Sequence, residues 1–298
     1  MEWPPILEPV VLERFGWDDA RLDRELDVLV GALLPTLDIA ALAQTGVDYP
    51  FARPTGSFVL DDTDIGPLTP DLHDLLQALE QGVQATPTPR YPLLAIGANG
   101  APDTLIRKLA HLTDPEDRRV YVLAGRLHDF DVAPLPRIAP YGALPATLMS
   151  SPGTRVRCSA SWVTAAAFTA LTQSEMSYDV GRLDPMLFES LGDEHSHQLT
   201  TAYVYVSRWG NLLLDGERVA LAAMPADHRQ TPSLTQTQLL DRTARLTLGR
   251  MHTGRDLIER LVRDPLEITR EVALALRPLA EHFDDPAWTP YPGTTPRD

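Results

Sequence analysis

The chain has 298 residues, 44% of them hydrophobic, and a formal net charge of −15 from 41 acidic against 26 basic side chains. That size supplies the core of one large domain, or of one domain with extensions. The charge argues against a general nucleic-acid binder and a partner for anionic membranes, while the single cysteine, Cys158, excludes an intrachain disulfide and a cysteine-based zinc site.

The N-terminal stretch is acidic and has no basic run ahead of an apolar one, so no signal peptide is expected. No apolar run approaches the ~20 residues of a membrane span. The expected location is cytoplasmic. Leu22, Leu26, Leu29, Val30, Leu33 and Leu34 give one amphipathic helix, ended by Pro35. Residues 48–67 are rich in Pro, Gly and Asp and read as a loop. Its Asp61, Asp62 and Asp64 read as solvated acids rather than a cation site. A second helix is predicted over 70–83, with Leu72, Leu75, Leu76 and Leu79 on one face. Residues 85–89 read as a linker.

Residues 91–112 carry the sharpest local pattern. Pro92 to Ile96 is an apolar run of buried-strand length. Gly97-Ala98-Asn99-Gly100 breaks it, and Pro102 and Asp103 suit the first turn of a helix. Leu105, Ile106, Leu109 and Leu112 recur at helical spacing, with Arg107 and Lys108 off that face. Such a strand, glycine turn and helix can aim backbone N–H groups at one anion or carbonyl oxygen. Most passages of this kind only make a tight turn. Nucleotide readings fail, since neither G-x-G-x-x-G nor a Walker G-K-S/T is present.

Residues 119–124 and 126–132 follow as extended segments, 133–145 as a proline-rich loop and 150–153 as a turn. Over 155–163, Val156, Cys158, Ala160 and Trp162 alternate with Arg155, Arg157, Ser159 and Ser161, giving a strand with one buried and one wet side. Cys158 is then core filler. Thr164 caps a helix over 165–174, whose inward face is marked by Phe168 and Leu171. One further turn would carry Glu175 onto that face, where a desolvated carboxylate suits a general base. A helix ending at Gln173 would leave Glu175 as a cap or in water, and periodicity alone favours this second reading.

Residues 201–207 alternate as a strand, and 211–215 and 217–224 flank the hairpin turn Asp215-Gly216. Asp193, Glu194, His195 and His197 read as an exposed polar turn, because no third ligand completes a metal site. From 233 the pattern is helical. Leu239, Leu240, Leu246, Leu248 and Met251 mark the first helix, and Leu257, Ile258, Leu261 and Val262 a second, capped near Thr253 or Asp256. A third spans 266–283, and the tail from Asp284 is expected to fray. These helices read as a cover on the sheet, with a homodimer surface as a further expectation.

In order and spacing, residues 94–99, 121–126 and 145–183 resemble the γ-glutamylcyclotransferase-like family. Ile96-Gly97-Ala98-Asn99 stands where that family usually reads Tyr-Gly-Ser-Asn. Pro152-Gly153, a strand, a helix ending in the acid Glu175, and then Tyr178 follow in the family's order. The likeness covers residues 91–224, and the parts on either side have no counterpart. It implies an α+β fold around a small mixed β-barrel with added helices at both ends. The division is then an N-terminal extension over 1–90, a core over 91–232 and a helical C-terminal extension over 233–298.

The chemistry the resemblance implies is intramolecular aminolysis, an acyl transfer with a lyase-like outcome. A substrate α-amine attacks its own γ-glutamyl carbonyl and releases 5-oxoproline, with neither metal nor cofactor. The partner is a small γ-glutamyl substrate. Glu175 would be the catalytic base, and Ile96, Gly97, Ala98, Asn99 and Tyr178 would bind substrate, with Tyr141 or Arg126 lining the pocket. Ala98 lacks a serine hydroxyl, Ile96 lacks a tyrosine ring, and Met176 replaces a common Gly. The alternative expectation is therefore a non-catalytic binding or interaction protein on the same fold. A hydrolase built on Ser150 or Ser151 with His128 and Asp129 lacks a nucleophile-elbow sequence.

Overall fold

The computed structural model describes residues 2–33, 38, 41, 45–80, 86, 88–191 and 198–294. Its frame is built from β1 (Phe58–Asp61), β2 (Asp64–Pro67), β3 (Arg90–Ala95), β4 (Val120–Pro134), β5 (Ala146–Thr164) and β6 (Tyr178–Leu183). With Ala202–Ser207 and Trp288–Pro290 they form one mixed sheet. Its order is Trp288–Pro290, β6, Ala202–Ser207, β3, β5, β4, β1, β2. Strand β3 runs parallel to Ala202–Ser207 through Leu93 and Tyr203 and antiparallel to β5. Among the described residues these pairings follow an open path and close no barrel. The fold is α+β.

The sheet is buried on both faces because strand alternation feeds two separate cores. Leu94, Leu123, Val156, Ala160, Trp162 and Val204 face one way. The C-terminal helices Gln236–Thr247, Gly254–Arg263 and Pro265–Leu276 lie on that side, through Leu239, Leu257, Leu261 and Val272. Leu93, Val122, Val163, Val180, Tyr203 and Tyr205 face the other way. There Pro9–Phe15, Pro102–Leu109 and Ala165–Ser174 cover them, through Phe15, Leu105, Leu109, Phe168 and Leu171. All six residues of Ala202–Ser207 are buried.

Several sequence expectations change here. The loop expected over 48–67 contains the β1–β2 hairpin, and β1 adds to the central sheet through Phe58 and Val122. Asp61 and Asp62 of that hairpin pair with Arg119 and Arg118. The two segments expected over 119–132 are one strand, β4. Pro152-Gly153 does not end a strand. Phe130 of β4 pairs with both Ser150 and Arg155, so the residues between them bulge out of a continuous β5. The Asp129 carboxylate holds that bulge by accepting from Gly153 N at 2.7 Å. Ser159 and Ser161, expected wet, are buried. The tail expected to fray pairs with β6 as Trp288–Pro290. The third C-terminal helix stops at Leu276, short of 283.

Other expectations stand. The first amphipathic helix is Asp19–Leu33 and the second is Pro70–Glu80. Asp215 and Gly216 both have positive φ, 55° and 80°, between antiparallel strands. Thr253 and Asp256 form a reciprocal capping box. Leu34, Pro35, Val83, Ala85, Pro87 and the cluster Asp193, Glu194, His195 and His197 lie outside the described residues. Among the described residues no helix is long and apolar enough to cross a membrane, and no acid, His or Cys cluster suits a metal ion.

Arg208 fastens the N-terminal helix to the sheet. Its guanidinium, fully buried, pairs with Asp179 at 2.8 Å and donates to Arg14 O at 2.8 Å. Arg208→Met strands the Asp179 carboxylate out of water, and urea denaturation should read a loss of ~3–5 kcal/mol.

Candidate active site

Glu175 is the residue just past the helix Ala165–Ser174. That helix starts at Thr164, whose side chain accepts from Ala167 N, and ends at Ser174. The helix therefore stops about where the second sequence reading had it. The Glu175 side chain nevertheless turns inward and is only 16% exposed. Its backbone explains the turn. Glu175 N donates to Thr172 O and Tyr178 N donates to Glu175 O, each at 3.1 Å, so the chain reverses tightly into β6. Arg14 stabilises the same helix end by donating to Thr172 O at 2.5 Å and Gln173 O at 3.1 Å. Burial and the neighbouring Arg208 lower the Arg14 guanidinium to about 10.

Two donors meet the carboxylate. Asn99 Nδ2 donates to Glu175 Oε1 at 3.0 Å, and Lys108 Nζ donates to the same oxygen at 2.5 Å. Lys108 Nζ also donates to Asn99 Oδ1 at 2.9 Å, which closes a triangle. Lys108 lies on the helix Pro102–Leu109 and is 11% exposed. The sequence placed it off the apolar face, and it is withdrawn from water all the same. Leu105 and Leu109 dock that helix beside Phe168 and Leu171, and this packing carries the ammonium to Glu175.

The turn after β3 is a single 3-10 turn, Ala98–Gly100. Gly100 N donates to Gly97 O and Ala101 N to Ala98 O. Position 97 needs glycine for space: a Cβ there would stand 2.6 Å from Tyr49 Oη. The Tyr49 hydroxyl accepts from Ala146 N at 2.8 Å, and the Ala98 amide bears on the same oxygen. A phenol from the N-terminal part of the chain is thus packed against the turn at Gly97.

Three tyrosines surround this corner, Tyr49 and Tyr178 buried and Tyr141 partly so. Tyr49 stacks on Tyr141 with centroids 6.2 Å apart, and Tyr178 donates to Ala146 O at 2.9 Å. Burial raises all three hydroxyls, and the negative Glu175 adds to the effect: Tyr49 is pushed up to about 12, and Tyr141 and Tyr178 well above the usual tyrosine value. The structure therefore gathers Glu175, Asn99, Tyr178, Tyr141 and the backbone of 97–98. It does not gather Ile96, whose side chain is in the core, or Arg126, which pairs with Asp227. Ser151 bonds to Thr154 and His128 to Glu189, so the hydrolase grouping is not assembled. Lys108 and Tyr49 were missed by sequence reasoning. The run Tyr49-Pro50-Phe51, apolar within a polar stretch, was the available signal for Tyr49.

No family model and no curated protein matches the chain. Among solved structures, a γ-glutamyl cyclotransferase is similar at 15% identity, covering 60% of this chain and 98% of that one, with a TM-score of 0.28. An uncharacterised protein from Homo sapiens is similar at 19% identity and a TM-score of 0.27, covering 40% of this chain and 66% of that one. Both are distant likenesses at the level of the fold.

Two stability effects follow from the site. Tyr49→Phe leaves Ala146 N buried without its acceptor, at a cost of ~1–3 kcal/mol in urea denaturation. The second is alkaline sensitivity. Burial pushes the Cys158 thiol up to about 12 from 9.0, and Tyr49 to about 12 from 10.0. Both groups stay protonated in the folded chain while the unfolded chain ionises. Their stabilisation is full below the unfolded values and is lost as pH rises through about 12. The urea midpoint should fall across that interval, and less steeply in Cys158→Ala.

Proposed function

We propose that the protein releases 5-oxoproline from a γ-glutamyl amine or amino acid by intramolecular aminolysis, with Glu175 as base. One observation supports this above the rest: a carboxylate largely withdrawn from water lies against an alkylammonium and a side-chain amide of the glycine turn. The Lys108 ammonium has the charge and donor chemistry of a substrate α-ammonium. A γ-glutamyl substrate would bring its own ammonium to the same carboxylate.

In this reading the α-ammonium gives a proton to Glu175, and the freed amine attacks the γ-carbonyl carbon. A C–N bond forms, and negative charge develops on the carbonyl oxygen. Backbone N–H groups of residues 97–99 are the proposed donors to that oxygen. The bond to the leaving nitrogen then breaks as Glu175 returns its proton there, and the carboxylate so regenerated takes the second proton from the ring nitrogen and passes it to the departing amine, which leaves as an ammonium. The products are the lactam and a free amine. The core over 91–232, a γ-glutamylcyclotransferase-type β-structure, would be the carrier of this chemistry, with the flanking parts as additions.

A second reading, a non-catalytic binding protein on the same fold, is favoured by the Tyr49 hydroxyl packed against Gly97, on the turn where the first reading needs room for substrate. The test measures 5-oxoproline release from a panel of γ-glutamyl amines and dipeptides. Glu175→Gln should lower turnover ~10²–10⁴-fold, the usual contribution of a positioned base. Turnover that survives the substitution removes Glu175 as base. No turnover on any substrate, from a chain that folds, selects the second reading.

A further inference from the structure

A cavity of about 270 Å³ opens beside the same turn, and neither Glu175 nor Lys108 is among its walls. Phe51, Arg53, Val122, Ala124, Arg157 and Ser159 line it, with Gly100 at one side. Most of this surface is apolar. The two guanidinium groups are not.

Arg53 is unusual in its partners. Its Nη2 donates to Gly97 O at 3.1 Å, and among the described residues no carboxylate lies within ion-pair distance of it. The side chain is only partly exposed, and burial lowers the guanidinium from its ordinary value. The groups that act on it electrostatically are Tyr49 and Cys158, both neutral near pH 7 because burial raises them to about 12. Arg157, half-buried on β5, also has no ion-pair partner among the described residues. Its cross-strand neighbour Arg126 takes the nearby Asp227 carboxylate at 2.9 Å. A buried cation without a counter-charge is costly, and proteins normally pair it. The acid on the cavity wall is Asp48, which pairs with neither arginine.

We propose that this cavity binds a small organic monoanion, a carboxylate on an apolar body, between the guanidiniums of Arg53 and Arg157. Two cations and one acid leave the lining with a single positive charge, which a monoanion neutralises and a dianion overshoots. The guanidinium fork matches a carboxylate in two-point fashion, and the Ser159 hydroxyl is a further donor on the wall. The apolar remainder of the ligand would lie on Phe51, Val122 and Ala124. This inference is independent of the catalytic reading, because its readout is binding rather than 5-oxoproline release.

The probe is hexanoate, titrated into the full chain by calorimetry and by thermal unfolding, beside hexylamine and sulfate. Hexanoate should bind saturably and raise the Tm, and hexylamine should do neither. Arg53→Gln and Arg157→Gln should each weaken hexanoate ~10-fold or more, the loss of one charge-assisted contact. Arg157→Gln breaks no ion pair among the described residues, so it keeps the test valid should Arg53→Gln unfold the chain. The proposal is overturned by absent hexanoate saturation at ~10 mM, by unchanged affinity in Arg157→Gln, or by sulfate binding more tightly than hexanoate.

Discussion

A carboxylate withdrawn from water must be met by donors, and Glu175 is where this fold satisfies that demand. The donors come from 67 and 76 residues earlier in the chain. They reach it only when Pro102–Leu109 and Ala165–Ser174 lie side by side on the sheet. The electrostatic requirement and the hydrophobic packing therefore specify the same arrangement. Arg14 adds a third constraint by gripping the last carbonyls of the helix that presents Glu175. The corner is over-determined, with three separate contacts fixing one arrangement.

The distribution of charge follows a related rule. The chain is strongly acidic, yet several of its arginines are inside: Arg14, Arg90, Arg137 and Arg208 are all under 9% exposed. Arg137 pairs with Asp23, and the other three satisfy carbonyl groups. Arg90 donates to Arg119 O, Arg208 to Arg14 O, and Arg53, partly exposed, to Gly97 O. A guanidinium suits this work because its five donors fan out in a rigid plane. The N-terminal part of the chain, which contributes Arg14, Tyr49 and Arg53, is in this way threaded into the region around the glycine turn.

What the sequence made legible was local. The strand, turn and helix at 90–109, the Thr164 cap and the Asp215-Gly216 hairpin each depend on neighbouring residues, and each was readable. Burial of Glu175 was not, because it depends on Lys108 and Asn99 arriving from elsewhere. Periodicity saw a helix ending and predicted a cap or a solvated acid. The hairpin at 58–67 was hidden because its strands are short and end in acids, Gly and Pro, the vocabulary of loops. The Pro152-Gly153 pair was read as a turn for the right local reason, and a long partner strand converted it into a bulge. Arg53 carries no local pattern, and Tyr49 only a short apolar run that names no partner. Their meaning lies in what they touch.

The sheet's margins have a consequence for how the protein is made. One margin is supplied by residues 58–67 and the other by Trp288–Pro290. During synthesis the ladder on β6 stays open until residue 290 has left the ribosome, long after the strands around it could pair. An unpaired ladder invites neighbouring nascent chains. Shortening the polypeptide at its C-terminal side would make that transient hazard permanent.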